Sequence, residues 1–426
     1  MDPVTIGLLA LVALLVLIAV RVPIAVALIG VSFLGIWAVA GLRPAMSMLS
    51  TIPYTTSASW TLSSIPMFLL MGYIAYHSGL TRGLFEAARV WWGWMPGGLA
   101  IASLAGASGF AAVSGSSVAC SAAIGRIAVP EMARQGYDLR IATGAVAAGG
   151  TIGALIPPSI ILILFGIQAE VSINDLFLGG LFLGLASLAF YIMAVLAVWW
   201  RDPSRLPRAP AYTMGDRWAK TFQIWPVLLL IGAVFGGLFS GIFTATEAGA
   251  FGSFVALLLG IARRTLSWEG FKESLLDTLL AGGALFIIAI GANLFTRLVA
   301  MSGLSAQMGL FVEGLGLGTF ALLLAIVVIY LILGMFLEPI GALLLTLPLF
   351  LPILAQHGVD KLWFGLLVAK LLEIGMITPP VGLNVFVIHS VARDYVRLEQ
   401  IFAGIVPFIL ADLALVACLL ALRGFM

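Results

Sequence analysis

Charged residues are scarce in this sequence. Only 9% of its 426 residues are Asp, Glu, Lys or Arg, whereas soluble proteins carry about 25% of these residues. Hydrophobic residues make up 62% of the chain, which is more than the core of a soluble domain needs. The composition therefore excludes an ordinary soluble protein and indicates a chain that lies largely in lipid.

Cysteine, histidine and basic clusters are also scarce, and this limits the possible chemistry. The two cysteines lie in apolar stretches and the three histidines are scattered, so the sequence predicts neither a disulfide framework nor a metal cluster. No basic patch with interleaved aromatic residues indicates a nucleic-acid partner. The sequence has no His-Glu-x-x-His motif, no pair of acids within one span and no Walker motif. We therefore expect neither an enzyme nor a pump driven directly by ATP.

Long uncharged runs are abundant, and a helix needs about 20 apolar residues to cross the hydrocarbon core. The first run, 3–20, has no basic segment before it and no clear cleavage site, so we interpret it as a membrane helix and not as a signal peptide. The predicted spans lie at 4–20, 22–42, the far end of 44–81, 141–169, 176–200, 221–246, 248–262, 278–296, 374–392 and 400–422.

Basic residues predict the orientation, because cytoplasmic loops carry an excess of Lys and Arg. The clearest loop, 201–220, holds five of them and is placed in the cytoplasm. Counting outward from it gives ten crossings and two re-entrant hairpins, with both termini outside. This topology puts 16 of the 21 basic residues on the cytoplasmic side. The exceptions are Arg43, Arg297, Lys361 and Arg423 outside, and Lys370 within the membrane.

Two segments rich in helix-breaking residues belong to an internal repeat. The first, 96–125, is crowded with Gly and Ser, and the second, 319–347, is interrupted by Gly and Pro. The regions that follow them, 130–158 and 352–380, align with each other without a gap, and ten of 29 positions match. The predicted topology makes the two hairpins enter from opposite sides. Inverted repeats are typical of secondary transporters, and paired interrupted segments indicate the binding site.

Each repeat contains a helix broken by two prolines, at Pro157-Pro158 and at Pro379-Pro380. Proline has no amide N–H and clashes with the preceding turn, so each pair frees carbonyl groups. Such backbone is tolerated at membrane depth only around a protein-lined cavity, where carbonyls can bind a cation and half-helix N-termini an anion. Hydroxyl groups nearby add oxygen ligands of the kind that hard cations prefer, namely those of Ser114, Ser116, Ser117 and Thr378. The alternative is structural, since Gly and Ser pack membrane helices closely and Pro can merely kink one.

Several short motifs surround these breaks. They are Ser114–Ala119, Ala123–Gly125, Pro130, Gly136-Tyr137, Gly149–Gly153 and Leu155–Ser159 in the first half, and Gly241–Ala248, Leu347–Pro352 and Glu373–Asn384 in the second. Together they resemble the large membrane subunit (the DctM-like, or M, subunit) of tripartite ATP-independent periplasmic (TRAP) transporters, and the likeness covers nearly the whole chain.

The resemblance implies an all-α integral membrane protein with inverted repeats, two re-entrant helical hairpins and two broken helices, of the elevator type in the ion transporter superfamily. It implies import of a small carboxylate-bearing solute (a C4-dicarboxylate, sialic acid or another organic acid) together with Na+, and no organic cofactor. It also implies a place in the bacterial inner membrane and two partners, a small four-helix membrane subunit (DctQ-like) and a periplasmic solute-binding protein (DctP-like).

The resemblance also implies site residues. One sodium site would comprise Ser114, Ser116, Gly153, Ile156 and Pro158. The other would comprise Gly334, Gly375, Thr378 and Val381, largely through their carbonyl groups. The solute would lie between the hairpin tips, near Ser117, Pro157, Glu338, Pro379 and Asn384.

Five charged residues near or within the spans need separate interpretation. Glu338 stands at the second hairpin tip, where the family pattern has Asp. Lys370 precedes Glu373 by three residues, so the two side chains can pair on one helix face; alternatively Lys370 binds solute and Glu373 orients the ion site. Asp412, in the last span, is expected to contact a neighbouring helix or subunit. Glu247 is expected to cap the helix that it begins.

Two amphipathic stretches, 79–95 and 266–280, combine tryptophan with basic residues, which is typical of interfacial helices. We predict two cytoplasmic arm helices here; the alternative is ordinary interfacial loops. The predicted organisation is 1–78 N-terminal scaffold helices, 79–96 arm, 97–169 transport repeat 1, 170–265 scaffold helices, 266–318 arm and scaffold helix, 319–395 transport repeat 2 and 396–426 C-terminal helix.

Two other transport functions compete with this one. A stand-alone anion carrier coupled to Na+ or H+ would have a related inverted-repeat architecture, and dependence on a secreted binding protein and a four-helix subunit would separate the two. A channel is less consistent with the inverted repeat, which favours alternating access.

Overall fold

The computed structural model describes residues 2–208 and 212–423, and every regular element within these ranges is helical. The first half comprises α1 Pro3–Ala19, α2 Ile24–Ala40, α3 Leu42–Ser57, α4 Ser64–His77, α5 Leu84–Trp92, α6 Gly98–Ser114, α7 Ser117–Arg134, α8 Leu139–Thr151, α9 Ile160–Ala169 and α10 Ile173–Arg201. A connecting helix, α11, runs from Met214 to Gln223. The second half comprises α12 Trp225–Phe239, α13 Ala245–Ala262, α14 Trp268–Ser302, α15 Leu304–Gly314, α16 Thr319–Phe336, α17 Pro339–Gln356, α18 Lys361–Gly375, α19 Leu383–Ala392 and α20 Leu398–Leu422. The predicted all-helical class is confirmed.

Within the described ranges, six helices are long and apolar enough to span a membrane, namely α10, α13, α14, α16, α17 and α20. Helices α11 and α12 pass the same test together, although they meet at an angle of 62°. Five further apolar helices are 10–17 residues long, namely α1, α2, α6, α9 and α19. The chain is therefore a multi-pass membrane protein. The exact topology of ten crossings and two re-entrant hairpins stays a prediction.

The helix boundaries repeat with the same offset that aligns residue 130 with residue 352 in the sequence. Helix α7 covers 117–134 and α17 covers 339–356, so both of their limits are related by this offset. The same holds for the first residues of α8 and α18, at 139 and 361, and of α1 and α12, at 3 and 225. The repeat of helix boundaries therefore extends beyond the aligned residues to the first helix of each half, with α11 as the connection. Residue identity revealed only part of it, because many different apolar side chains satisfy a membrane helix.

Matched capping residues explain why the boundaries coincide. Asp138 and Asp360 occupy equivalent positions in the two repeats as the N-caps of α8 and α18, and their carboxylates accept hydrogen bonds from main-chain N–H groups. Gly136 and Gly358, another equivalent pair, have positive φ angles of 75° and 61° in the turns before these caps. Glycine reaches this conformation without the penalty that a Cβ imposes, so both turns are set by local sequence.

Glu247 caps a helix, as expected. Its Oε2 accepts a hydrogen bond from the main-chain N–H of Thr244 at 2.8 Å, and the Thr244 hydroxyl accepts one from the Glu247 N–H at 3.4 Å. This reciprocal capping box starts α13 and satisfies two main-chain donors. The capping interpretation of Glu247 is therefore confirmed by the geometry.

The arm helices are only partly as predicted. The first stretch, 79–95, forms a 3-10 turn at Leu80–Gly83 followed by α5. The second, 266–280, is not a separate short helix, because it continues without a break into the 35-residue α14. At 1.5 Å per residue α14 is about 50 Å long, well beyond a hydrocarbon core of about 30 Å. Helix α15, a separate short helix at the position equivalent to α5, was not predicted.

The two broken helices form the centre of the fold. Helix α8 is buried from Ile141 to Thr151, and α18 is buried from Leu367 to Gly375. Helix α20 packs on α8 so closely that a Cβ at Gly144 would lie 2.5 Å from a main-chain oxygen of Gly404. Helix α10 contacts α18, α9 and α20. Helices α10 and α20 thus pack against the broken helices, although the predicted organisation has them outside the two transport repeats.

Candidate solute and cation site

The first break lies between α8 and α9. After a 3-10 turn at 152–154 the chain stays irregular until Ser159, the N-cap of α9. Pro157 and Pro158 have no N–H to donate to the carbonyls of Gly153 and Ala154. The Ser159 hydroxyl donates to the Ala154 carbonyl at 2.5 Å instead. One of the two freed carbonyls is therefore satisfied locally, and that of Gly153 is the one available for a ligand.

The second break, between α18 and α19, uses a different donor. Pro379 and Pro380 remove the i+4 partners of Gly375 and Met376. The Met376 carbonyl accepts instead from the N–H of Asn384 at 2.9 Å, and the Gly375 carbonyl accepts from the N–H of Thr378 at 3.2 Å. The Thr378 hydroxyl donates to the Ile374 carbonyl at 2.6 Å, which leaves its oxygen lone pairs free to face a cation.

Helices α6 and α7 form the first hairpin and α16 and α17 the second, and the tip of each is the short connection between its two helices. Each tip lies against the break of its own repeat. A Cβ at Gly153 would lie 3.0 Å from the main-chain oxygen of Ser116. In the second repeat Gly334 and Gly375 are in direct backbone contact, and a Cβ on Gly375 would overlap Gly334. Only glycine allows so close an approach of two backbones. The predicted ion-site residues Ser116 with Gly153, and Gly334 with Gly375, are thereby brought together.

The remaining residues predicted for the first sodium site lie around the same tip. The Ser114 hydroxyl has no hydrogen-bond partner among the described residues, and Ser114 lines a cavity of about 360 Å³ together with Ser116. Ile156 and Pro158 are buried within the break, and the Pro158 carbonyl lies against Gly115 at the tip. In the second break Val381 is half-buried directly after Pro380.

A small cavity of about 100 Å³ lies where the two hairpin tips meet. Ser116 and Ser117 of the first tip and Glu338 of the second line it, and Glu373 from α18 completes its polar wall. Glu338 is the N-cap of α17, and its Oε2 accepts from the Gly341 N–H at 3.1 Å. Two of the predicted solute-binding residues, Ser117 and Glu338, therefore face one space.

The other three predicted solute-binding residues occupy different environments. Asn384 is fully buried, and neither atom of its side-chain amide has a hydrogen-bond partner among the described residues. Such a group is costly unless a ligand or water satisfies it. Pro157 is buried, whereas Pro379 is exposed. The wall of the cavity between the tips is formed by other residues than these two prolines.

Glu373 joins the two repeats. Its Oε2 accepts a hydrogen bond from the Ser117 hydroxyl at 2.6 Å, so α18 of the second repeat is tied to the first hairpin. The side chain is only 1% exposed, and its Oε1 has no partner among the described residues. Of the two sequence interpretations of Glu373, pairing with Lys370 is not what the structure contains.

Lys370 pairs with Asp412 and not with Glu373, which corrects the i,i+3 interpretation. The Lys370 Nζ lies 2.6 Å from the Asp412 Oδ1, and both side chains are fully buried. The Lys370 ammonium also donates to Ser187 at 3.0 Å. Tyr191 donates to the Asp412 Oδ2 at 2.8 Å and lies 2.8 Å from the Thr151 hydroxyl. Asp412 thus contacts a neighbouring helix, one of its two expected roles.

This polar network links α8, α10, α18 and α20. The sequence did not predict most of its members. Ser187 and Tyr191 belong to no motif, and Thr151 lies in a glycine-rich motif that carries no charge; each of the three lies in a largely apolar helix. The available signal was the pair of charges at 370 and 412, since isolated charges within spans need partners. Because a buried charge is costly unless it is paired and hydrogen-bonded, the network fixes how these four helices pack.

The cavity of about 360 Å³ reaches from the first tip towards one face of the protein. Helices α4 and α14 form its far wall, which includes Tyr73, Tyr76 and Asp277. A neighbouring cavity of about 260 Å³ shares Tyr76 with it and extends to Arg82 and Arg126. These arginines lie on the face that the sequence predicts to be cytoplasmic. Together the two cavities line the space between the first tip and these arginines.

Solved structures of two transporters have a similar fold. The Alcanivorax borkumensis YdaH transporter matches with a TM-score of 0.67 and 14% sequence identity, over 90% of this chain and 89% of that one. Neisseria gonorrhoeae MtrF, described among antimetabolite efflux pumps, matches with a TM-score of 0.63 and 15% identity, over 99% and 95% of the two chains. At this identity the likeness concerns the fold alone.

Curated relatives are more similar in sequence. The isethionate TRAP transporter permease protein DctMQ of Oleidesulfovibrio alaskensis is 33% identical over 407 residues, which are 93% of this chain and 62% of that protein. The C4-dicarboxylate TRAP transporter large permease protein DctM of Pseudomonas aeruginosa is 34% identical over 343 residues, 79% of each chain. The sialic acid large permease protein SiaM of Vibrio cholerae is 30% identical over 85% of this chain and 84% of that one.

The match to a family model extends along almost the entire chain. Residues 11–425 match the DctM component of the tripartite ATP-independent periplasmic transporters. The resemblance read from the motifs around the two breaks is therefore confirmed. Taken with relatives of 30% and 34% identity that are named as permeases of this kind, the match shows that the chain belongs to the DctM family, the large membrane component of TRAP transporters.

Proposed function

We propose that the chain is the membrane carrier of a tripartite system that imports a small carboxylate-bearing solute together with sodium. Family membership supports secondary transport, and the relatives are named for isethionate, C4-dicarboxylates and sialic acid. The single observation that carries the proposal is the meeting of two hairpin tips and two proline-broken helices around one cavity.

Sodium is the proposed coupling ion because the breaks present oxygen atoms without a fixed charge. The Gly153 carbonyl beside Ser116 provides one such surface, and the Thr378 hydroxyl beside the contact of Gly334 with Gly375 provides another. Hard cations prefer oxygen ligands. Discontinuous helices in secondary transporters coordinate cations in this way, while their half-helix N-termini face anionic substrate groups.

The proposed movement is that of an elevator, in which the hairpins and broken helices cross the membrane as one block. Helices α10 and α20 join that block in our proposal, because both pack on the broken helices and the Lys370–Asp412 pair crosses from α18 to α20. The proposed scaffold comprises helices α2, α4, α13 and α14. Helix α2 of the first half packs on α14 of the second, and α4 of the first half packs on α13 of the second.

The proposed setting is the bacterial inner membrane, with a four-helix membrane subunit and a periplasmic solute-binding protein as partners. The test is uptake into proteoliposomes that contain the chain and both partners under an imposed sodium gradient. We expect uptake to require sodium and the binding protein together. Equal uptake without sodium contradicts coupling, and equal uptake without the binding protein would favour a stand-alone carrier.

A further inference from the structure

A cavity of about 260 Å³ adjoins the larger cavity that begins at the first hairpin tip. The two cavities share Tyr76, Phe110 and Ala123 in their linings, so they are neighbours along one wall. The smaller cavity lies at the end of α4 and the start of the first arm, and none of its lining residues belongs to either proline break. The proposed function assigns no role to it.

Two arginines, Arg82 and Arg126, line this smaller cavity, and its lining contains no Asp or Glu. Neither arginine forms a salt bridge with a carboxylate of the described residues. Both side chains are exposed, so they are open to a ligand that arrives through water. Arginine stays charged at physiological pH, and its planar group binds a carboxylate through two parallel hydrogen bonds. The lining therefore has positive charge without a counter-charge of its own.

The acids on the neighbouring helix α14 are engaged by a different residue. The Asp277 Oδ2 lies 3.0 Å from Nε2 of His77, and the Glu273 Oε2 lies 3.2 Å from Nδ1 of the same ring. His77 also lines the smaller cavity, and both of its nitrogens face these two carboxylates. The two acids of α14 thus contact His77 and not the arginines, which remain available to a ligand.

The corresponding place in the second repeat lacks this positive charge. By the offset that aligns residue 130 with residue 352, the positions equivalent to 77, 82 and 126 are occupied by Val299, Leu304 and Pro348. Val299 and Pro348 line a cavity of about 230 Å³ whose lining contains no charged residue. An excess of basic residues is general on a cytoplasmic face. Here the two arginines also border a space that is large enough for a small solute.

We propose that the smaller cavity is a second binding site, which takes the acid group of the solute after the solute leaves the first hairpin tip. The ligand is a small carboxylate, and Arg82 and Arg126 recognise it. This proposal rests on the proposed function, because import of an acid brings such a ligand to the tip. A solute is favoured over an anionic lipid headgroup because Ser114 and Ser116 of the tip line the larger cavity, which shares a wall with the smaller one.

The test follows a cysteine placed in the lining. Ile127 lines the cavity and is 38% exposed, so I127C puts a reactive thiol there, in a chain that also carries C418S to remove the exposed native cysteine. The purified full-length chain is placed in phosphatidylcholine nanodiscs, and its reaction with a polar maleimide is timed in sodium-free buffer with increasing succinate. We expect succinate to slow the labelling, because a bound acid fills the space beside the thiol.

Variants of the arginines identify the recognising groups. R82Q and R126Q should each shift half-maximal protection to about tenfold higher succinate, the factor that corresponds to losing one charge-assisted hydrogen bond. R82K and R126K keep the charge and should shift it less. Two separate glutamine variants keep the test usable if one of them fails to fold. S204C, in the exposed segment after α10, is the control thiol, and its labelling rate should not depend on succinate.

Three results would overturn the proposal. The first is labelling that succinate does not slow, or that potassium chloride at matched ionic strength or neutral succinamide slows equally. The second is protection that both glutamine variants retain unchanged. The third is protection that requires phosphatidylglycerol in the nanodisc and not succinate, which would assign the cavity to a lipid headgroup. Because sodium is absent, this labelling does not depend on ion coupling. If wild-type uptake needs no sodium while succinate still protects the thiol, it is the proposed function that fails.

Discussion

The break at Pro157-Pro158 is buried throughout, whereas Pro379-Pro380, its equivalent in the second repeat, is exposed. Both breaks satisfy the equivalent freed carbonyl, Ala154 in one and Met376 in the other, but with a side-chain hydroxyl in the first and a main-chain N–H in the second. The two breaks thus have the same carbonyl satisfied, while the donor group and the surrounding residues differ. The repeat thus sets where each helix stops, and the neighbouring helices decide which of the two breaks is covered.

The tips differ in charge as well. Ser116 caps the helix after the first tip with a hydroxyl, and Glu338 caps the equivalent helix with a carboxylate. The second repeat also supplies Lys370 and Glu373, where the first has Ala148 and Thr151. The first repeat therefore provides neutral oxygens, and the second provides the charged groups at the two tips and breaks. Variants of individual residues can separate the contribution of the neutral oxygens from that of the charged groups.

The largest effect is expected for Lys370→Met. It leaves Asp412 buried without a counter-charge, which typically costs about 3–5 kcal/mol of unfolding free energy. The double change Lys370→Met with Asp412→Leu should recover most of this loss, since it removes both charges. Chemical unfolding in detergent measures both. Lys361→Met, on the same helix with one hydrogen bond to a main-chain oxygen, is the control. A double variant no more stable than the single one would contradict the pairing.

A smaller loss is expected for Gly375→Ala. The added methyl would overlap the backbone of Gly334, and overpacking of this kind costs about 1–3 kcal/mol. Gly153→Ala, the equivalent change in the first repeat, should cost less because its nearest neighbour lies at 3.0 Å. Thermal unfolding compares the two variants with Gly283→Ala, where no neighbour lies within 4 Å. Equal losses at 153 and 375 would show that the two tip contacts are equivalent.

Ser159→Ala and Asn384→Leu should separate stability from transport. Removal of the Ser159 hydroxyl deprives the Ala154 carbonyl of its donor and α9 of its cap, at a cost of about 1–2 kcal/mol of unfolding free energy.

Asn384→Leu removes an amide that has no partner among the described residues, so stability should hold while uptake is lost. Unfolding and proteoliposome uptake are measured on both variants. A marked loss of stability in Asn384→Leu would point to a structural role instead.

The smallest change is expected for Thr378→Ala. In the first repeat the equivalent residue is Ile156, which has no hydroxyl, so this variant makes the two breaks more alike. Loss of one neutral oxygen ligand, at about 0.5–1.5 kcal/mol, should raise the sodium concentration for half-maximal uptake roughly two- to tenfold, with normal expression. Sodium titration of uptake provides the measurement. An unchanged sodium dependence argues against Thr378 as a ligand.

Some features of this protein follow from the sequence by itself, because they depend on local chemistry. Scarce charge and long apolar runs determine a helical membrane protein. The paired prolines stop α8 and α18, since proline cannot donate within a helix. The caps at Asp138 and Asp360 start those helices at equivalent positions. These local signals, read together, also led to the family.

Other features were decided only by tertiary structure, because they depend on residues that are far apart in the chain. The spacing in the sequence indicated Glu373, three residues away, as the partner of Lys370. In the folded chain Lys370 pairs instead with Asp412 on another helix. The Ser117–Glu373 bond spans 256 residues. In lipid a charge must find a counter-charge wherever packing places one, and sequence spacing along a single helix does not contain that information.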